Sequence, residues 1–357
     1  MTIKRRFLSV LIPILLVSFF STACLLSSKN TTNTSGLHET SSDIGTTRQQ
    51  PIPIGSQISV PGWQVGVKEF LRGEAAMKVI NDTDWPPPPL AEGMEYALAK
   101  VFIRSTSLSE DYQSIGISNL YITGDHFIAH GDTLDGWPQP EFLYEDIYTA
   151  EAVEGWVDAV VPVGESNLEL VLDITDAANT HTVRYFELDK GSSLSLPPNL
   201  GGLTPNNLGV DLANPAVIGD QVITKNWSLS VLEVLRGEQA NLLLQTDNSY
   251  YTAPSQDQEY AILHIQLKYL NPLDLPSTLG MDNFYVVDKS GFRLEVGNIY
   301  PPQSEKWLNG VFLPGAEIDT RVPIIIQQGV DPVIIVFSPD LFQYNSNEKE
   351  LRYISTK

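Results

Sequence analysis

Histidine and carboxylate side chains are concentrated in one segment, Asp125-His126-Phe-Ile-Ala-His130-Gly-Asp132. Imidazole nitrogens and carboxylate oxygens are the ligands that zinc and related cations take in proteins. A spacing of four residues brings His126 and His130 to one face of a helix, but separates them by roughly 13 Å on a strand. The segment is typical of strand and loop, and the second half of the chain has Ser290 and Leu294 at the corresponding positions. We therefore interpret it as a solvated loop and expect neither a metal site nor a cofactor.

Motifs that accompany hydrolysis or phosphoryl transfer do not occur in the sequence. It contains no serine in a Gly-x-Ser-x-Gly context, no His-Glu-x-x-His pair and no glycine-rich phosphate loop. A glycosidase needs two carboxylates in one cleft, and the 43 acidic residues single out no pair. The sequence favours a protein that is not an enzyme. The alternative is a hydrolase whose active-site residues are dispersed along the sequence and form no motif.

The most visible repeated polar element is Leu-Arg-Gly-Glu, which occurs at 71–74 and again at 235–238. A glycine directly after a strand supplies the positive φ of a tight turn. We favour a turn that maintains the fold, and the alternative is a duplicated contact loop that binds one partner twice. The side chains that such a contact loop would use are Arg72, Glu74, Arg236 and Glu238.

A second candidate for partner binding is a loop that differs between the two halves of the chain. The first half has Trp85 followed by four prolines, and the second half has Tyr250 and Tyr251 in the matching stretch. Proline runs are stiff and extended, and exposed aromatic rings are efficient binding anchors. Loops also diverge freely without any function. We therefore name Trp85, Tyr250 and Tyr251 as candidate contact residues only.

The N-terminal residues predict a targeting segment. Three basic residues, 4–6, precede an apolar run over 7–20, which is shorter than the roughly 20 residues of a membrane span. Ser21 and Ala23 directly precede Cys24, the only cysteine of the chain, and this pattern resembles the lipobox of bacterial lipoproteins. The resemblance implies that residues 1–23 are removed and that Cys24 is acylated, for example with palmitate, and anchors the protein to the membrane. The alternative is an ordinary signal peptide with an incidental thiol.

Composition narrows the class of partner. The formal net charge of −21 disfavours nucleic acid and anionic lipid headgroups, and is compatible with a cation or a basic protein, or simply with solubility. Residues 24–50 are rich in Ser, Thr and Asn and poor in large apolar residues, which predicts a flexible tether.

An internal duplication organises the remaining chain. A shift of 164 residues aligns 51–122 with 215–286 without a gap, and pairs Trp63 with Trp227 and Glu95-Tyr-Ala with Glu259-Tyr-Ala. A slip of one residue then pairs Gly164 with Gly329. We predict a first repeat at 51–190, a linker rich in Gly, Pro and Asn at 191–214, and a second repeat at 215–357.

Each repeat has the pattern of an all-β protein. Apolar residues alternate along 97–103 and 261–267, as in half-buried strands, and further apolar runs are separated by turn residues. About seven short strands in each repeat predict a two-sheet sandwich, with no long amphipathic helix.

The order of these features resembles an immunoglobulin-like domain of unknown function that is common in bacterial surface lipoproteins, and is similar to the immunoprotective extracellular antigen fold. The features are an aromatic-led strand, a strand with Glu-Tyr-Ala, Asn-x-Tyr before a turn, and Leu313-Pro-Gly before a closing pair rich in Val and Ile. The resemblance implies two tandem sandwich domains in an envelope setting and brings no catalytic residue. We expect a non-enzymatic envelope lipoprotein that binds a protein or surface ligand, or alternatively an extracytoplasmic solute- or cation-binding protein.

Overall fold

The computed structural model describes most of the chain from residue 35 onward. The described residues are 35–81, 87, 89–106, 115–116, 119–131, 152–176, 180–191, 194, 196–197, 200, 203–246, 248–294, 299, 302, 307–340 and 350–357. Leu37–Lys357 forms one compact unit, to which the following description applies. Among the described residues, no helix has both the length and the apolar character that crossing a bilayer requires.

The described residues of the first repeat and of the segment before it form eight strands and one helix. In chain order they are β1 (His38–Glu39), β2 (Ser56–Val60), β3 (Trp63–Arg72), α1 (Glu74–Asn81), β4 (Met94–Ser105), β5 (Leu120–Thr123), β6 (Ala152–Pro162), β7 (Glu169–Thr175) and β8 (His181–Glu187). One sheet has the order β1-β2-β3-β4-β6, and the other has the order β5-β7-β8. The apolar inner faces of the two sheets share one core, so this part of the chain is a β-sandwich.

Where the structure describes it, the second repeat forms ten strands and one α-helix. They are β9 (Ala216–Val217), β10 (Val222–Ile223), β11 (Trp227–Arg236), α2 (Glu238–Gln245), β12 (Gln258–Tyr269), β13 (Ser277–Gly280), β14 (Phe284–Val287), β15 (Asn309–Phe312), β16 (Glu317–Gln327), β17 (Ile334–Phe337) and β18 (Arg352–Ser355). The sheets β10-β11-β12-β16 and β14-β17-β18-β9 enclose a second core, and β13 pairs with β15. The prediction of an all-β sandwich fold is confirmed. The immunoglobulin-like family and the exact domain limits stay predictions.

Each Leu-Arg-Gly-Glu segment forms a turn followed by a short helix. Gly73 and Gly237 have φ of 58° and 59°, the left-handed conformation that glycine adopts without strain. The helices α1 and α2 then cover the outer faces of β4 and β12, where they bury Tyr96 and Leu98 in the first case and Tyr260 and Ile262 in the second. The prediction that these strands are half-buried is therefore wrong for 96–99 and 260–263, which are buried on both faces.

Part of the predicted tether is packed in the structure. Residues 38–39 pair with β2, and the side chain of Arg48 is fully buried (0% exposed). The Arg48 Nε donates to Asp274 Oδ1 at 2.7 Å, its Nη2 donates to the carbonyl of Pro314 at 2.8 Å, and its guanidinium lies 4.8 Å from the ring centre of Phe127. From Leu37 onward the structure thus differs from the prediction of a flexible tether. The reason is that the buried side chain of Arg48 pairs with Asp274, which lies 226 residues further along the chain.

The predicted linker is also in contact with the second repeat where the structure describes it. The amide of Asn206 donates to the carbonyl of Ile223 at 3.1 Å, and the amide of Tyr353 donates to the carbonyl of Gly209 at 2.6 Å. These bonds fix the end of the linker along β10 and β18.

The two repeats contact each other directly. Ile128 and Phe312 form an antiparallel bridge, in which the amide of Leu313 donates to the carbonyl of Phe127 at 2.8 Å and the amide of Ala129 donates to that of Val311 at 2.9 Å. Apolar side chains of both repeats bury each other beside this bridge, namely Tyr121, Val171, Val183, Tyr185, Leu275, Val311 and Leu313. The repeats therefore share a junction that is bonded through the main chain.

Candidate functional site

The segment with two histidines does not continue as a strand. After β5 the chain turns at 124–127, where Phe127 has a φ of 59°. It then returns along β5, so that Ile122 and His130 exchange two main-chain hydrogen bonds of 2.8 and 2.7 Å. This reversal brings His126 and His130 to the same side of β5, beside the turn that follows β6.

A buried carboxylate joins the two imidazoles. Glu165 lies in that turn, and its side chain is 0% exposed. Its Oε2 is 2.9 Å from His130 Nε2, and its Oε1 is 3.3 Å from His126 Nδ1. The donor atoms of Asp125, His126 and Glu165 all lie within 4.8 Å of one another. The histidine–carboxylate cluster, defined as Asp125, His126, His130 and Glu165, thus brings together residues that two separate turns supply.

The surroundings of Glu165 fix its position. Arg72 Nη1 donates to the main-chain carbonyl of Glu165 at 2.9 Å, and the same guanidinium is paired with Glu95 at 2.5 Å. A Cβ atom on Gly124 would lie 2.5 Å from Glu165 Oε1, so only glycine leaves room for the carboxylate. Ser166 Oγ donates to Asp125 Oδ2 at 2.6 Å. These contacts fix the carboxylate of Glu165 at the centre of the cluster.

The second repeat keeps the frame of this site and lacks its polar groups. Arg236 is paired with Glu259 at 2.5 Å and donates to the carbonyl of Val330, just as Arg72 does to that of Glu165. The positions equivalent to the four residues of the cluster hold Lys289, Ser290, Leu294 and Val330. Since the second repeat forms the same turn with valine, the carboxylate of Glu165 is not needed for the turn to fold.

A cavity of about 900 Å³ opens beside the cluster at the junction of the repeats. Its wall combines side chains of both repeats, with the three aromatic residues Phe127, Trp307 and Phe312 and the three carboxylates Asp125, Glu317 and Asp319. Among the described residues, no lysine or arginine lines the cavity. A lining of apolar and aromatic side chains with a few polar groups is typical of a ligand site.

The charge at the cavity mouth is stabilised by neighbouring polar groups. His264 Nε2 lies 2.7 Å from Asp319 Oδ1, and Gln266 donates to Asp319 Oδ2 at 3.1 Å. Both hydrogen bonds, and that from His264 most, lower the pKa of Asp319. Glu317 forms an ion pair with Lys268. Asp319 therefore keeps a negative charge at the cavity over the whole neutral pH range.

The structure places the predicted contact residues elsewhere. Arg72 and Arg236 are half-buried and bonded within their own repeats, which supports the interpretation of a fold-maintaining turn. Glu74 and Glu238 lie exposed in the first turns of α1 and α2. Tyr250 is 74% exposed, whereas Tyr251 packs 6.1 Å from the ring of Tyr260. Trp85 and Cys24 lie outside the described residues.

Glu165 is the residue of the cluster that was not predicted from the sequence. It follows the two histidines by 39 and 35 residues, so no local spacing connects it with them. The available signal was the alignment of the two repeats, in which Asp125, His126, His130 and Glu165 all face residues of different chemistry. A straight strand would hold the two imidazoles roughly 13 Å apart, but the turn at 124–127 interrupts the strand and brings both to Glu165.

No family model matches the sequence. No curated protein matches it either. Among solved structures, the yjhA protein from Bacillus subtilis is 15% identical with a TM-score of 0.29, and the alignment covers 39% of this chain and 99% of that one. The candidate lipoprotein ycdA from Bacillus subtilis subsp. subtilis str. 168 is also 15% identical, with a TM-score of 0.28 and coverage of 38% of this chain and 40% of that one. Likenesses this distant carry no argument about function, so the function is inferred from the residues of this chain.

Proposed function

We propose that this chain is a lipid-anchored envelope protein that binds, without chemical conversion, a small cationic ligand with an apolar body in the cavity between its repeats. The observation that carries the proposal is the cavity of about 900 Å³ whose wall has aromatic side chains and carboxylates but no described lysine or arginine. Its size lies within the range of small-molecule sites.

The junction supports binding because it forms the cavity in advance. The bridge between Ile128 and Phe312 and the buried pair of Arg48 with Asp274 connect the first part of the chain to the second repeat beside the cavity. A cavity that is already held open costs little conformational entropy when a ligand binds. We therefore place the ligand at the junction rather than at the exposed loop of Tyr250.

The chemistry of the wall favours a positive charge on the ligand. Asp125 and Asp319 are exposed carboxylates at the cavity, and the aromatic residues Trp307 and Phe312 line it. Aromatic rings attract cations to their faces. The net charge of −21 adds a long-range attraction for cations and repels anions.

A pair of probes with similar rings and opposite charge tests this proposal. The full-length chain, extracted in mild detergent and kept in EDTA, is titrated with tryptamine and with indole-3-acetate. We expect tryptamine to bind and to raise the free energy of unfolding by about 2.7 kcal/mol at 100 times its Kd. Indole-3-acetate should bind at least tenfold more weakly, because the cavity carboxylates repel it. Calorimetry and thermal unfolding measure both.

Two variants locate the binding site. Asp319→Asn removes a charge that is 60% exposed, and should weaken tryptamine about two- to fivefold without loss of folding. Tyr250→Ala, in the loop proposed from the sequence, should leave the affinity unchanged. Equal binding of the two probes, or loss of binding in Tyr250→Ala alone, would contradict a cationic site in the cavity.

The membrane anchor is proposed from the sequence pattern at Cys24. We expect Cys24→Ser to shift the protein from the membrane fraction to the soluble fraction after cell disruption, because acyl chains on this thiol supply most of the membrane affinity. Fractionation followed by immunoblotting measures the shift. A variant that stays fully membrane-bound would favour an uncleaved N-terminal segment instead.

A further inference from the structure

We propose that Asp125, His126 and Glu165 bind one divalent transition-metal ion of the zinc type, and that His130 positions the carboxylate of Glu165. The inference goes beyond the proposed binding of an organic cation and does not rest on it. Both sites lie at the same junction and share Asp125. The other metal ligands converge on Glu165, whereas the organic cation would lie against the aromatic wall and Asp319.

The distances suit a small tetrahedral ion. Zinc lies about 2.0–2.2 Å from imidazole nitrogen and carboxylate oxygen, so two of its ligand atoms are roughly 3.3 Å apart. His126 Nδ1 and Glu165 Oε1 have this separation of 3.3 Å. Asp125 lies within 4.8 Å of both and is exposed, so a rotation of its side chain completes three ligands.

The donor set also selects the class of ion. One imidazole and two carboxylates supply two negative charges, which neutralise a divalent cation. Nitrogen and oxygen donors suit zinc, manganese, cobalt and nickel, whereas calcium takes six to eight oxygens and Cu(I) prefers sulfur. The His126 side chain is 56% exposed, so the fourth position of the ion faces solvent.

The turn that contains Glu165 does not require a buried carboxylate in order to fold. Taking a carboxylate out of water is costly unless other groups compensate its charge. The second repeat has Val330 at the equivalent position and so does not incur this desolvation cost. Arg236 still donates a hydrogen bond to the main-chain carbonyl of Val330. A buried carboxylate with imidazoles on both of its oxygens is therefore explained by binding of a cation. The hydrogen bond from His130 to Oε2 leaves Oε1 directed toward His126, so His130 orients the carboxylate for the ion without binding the ion itself.

The test is a titration of the full-length chain, without a histidine tag and after removal of metals with EDTA. Co²⁺ is added while visible absorption is recorded, and Zn²⁺ is then used to displace it. We expect saturation at one Co²⁺ per chain, with a spectrum of low coordination number, and complete displacement by Zn²⁺.

Variants assign the roles. His126→Ala and Glu165→Gln should lower the affinity more than about 100-fold, whereas His130→Gln should lower it about 10- to 100-fold and keep the Co²⁺ spectrum. Gly124→Ala displaces Glu165 and should weaken binding, while Gly131→Ala, whose Cβ would meet nothing within 4 Å, should not. His181→Ala removes another histidine–carboxylate pair, that with Asp173, and serves as the control.

The outcomes separate the two proposals. Lack of saturable binding, or an affinity that His126→Ala and His181→Ala lower equally, would overturn the metal site. His126 is exposed enough for its alanine variant to fold, so the comparison stands even where Glu165→Gln does not fold. Because tryptamine is titrated in EDTA, its binding is decided independently of the metal.

Discussion

Replacing Arg48 with methionine is expected to lower the free energy of unfolding by about 3–5 kcal/mol, the usual cost of removing one partner from a buried ion pair. The side chain of Arg48 is 0% exposed and that of Asp274 is 9% exposed. Methionine keeps much of the volume, but it leaves the carboxylate of Asp274 and the carbonyl of Pro314 without the guanidinium that now donates to them. Urea unfolding followed by tryptophan fluorescence measures the change.

The matched control is Lys68→Met, which breaks the ion pair with Glu154 on an accessible face. Exposed pairs contribute less than about 1 kcal/mol. The double variant Arg48→Met with Asp274→Asn should lose less stability than the sum of the single variants, because the uncompensated charge is removed as well. A loss below 1 kcal/mol in Arg48→Met would show that the junction does not depend on this pair.

Glu169 is expected to make the protein less stable as the pH rises from 5 to 8. Its side chain, at the start of β7, is 0% exposed, and burial raises its pKa to about 8, against the opposing effect of the positive charge of Arg48. Between the ordinary value of 4.5 and about 8, the folded state keeps the proton and the unfolded state loses it. The stabilisation is thus complete below pH 4.5, decreases by up to about 1.4 kcal/mol per pH unit, and is lost above pH 8.

The variant Glu169→Gln isolates this contribution. Glutamine resembles the protonated acid and does not titrate, so the variant should match the parent at pH 5 and exceed its stability by about 4 kcal/mol at pH 8. Urea unfolding at intervals of one pH unit gives both curves. All other titrating groups are common to the two proteins. Parallel curves would mean that Glu169 ionises in the folded protein much as it does in the unfolded chain.

Much of the fold followed from local pattern. The alternation along 97–103 predicted β4, and the same alternation along 261–267 predicted β12, because a period of two identifies a strand whatever its partners are. The turns at Gly73 and Gly237 followed from the need for positive φ. The helices α1 and α2 could not be predicted in this way. Eight residues are too few for a stable isolated helix, and packing on the outer faces of β4 and β12 stabilises them.

Less of the candidate site than of the fold could be predicted from the sequence, because its geometry depends on tertiary structure. Residues 125–130 were recognised from their composition, but their geometry depends on the chain reversal after Gly124. Glu165 joins them through the pairing of β5 with β7, which no periodicity specifies. The cavity needs both repeats, and the contacts that join them come from single side chains such as Arg48, whose neighbourhood gives no sign of burial.

The contacts of Arg48 also determine the order in which the molecule can assemble. They span 226 residues to Asp274 and 266 residues to Pro314, and the cost of closing such long loops precedes the gain from the contact. During synthesis the first repeat is complete before the second, and it exposes the face of Tyr121 and Tyr185 in the meantime. Exposed apolar surface of this kind favours aggregation, and it is covered only after residues 274–314 have been synthesised.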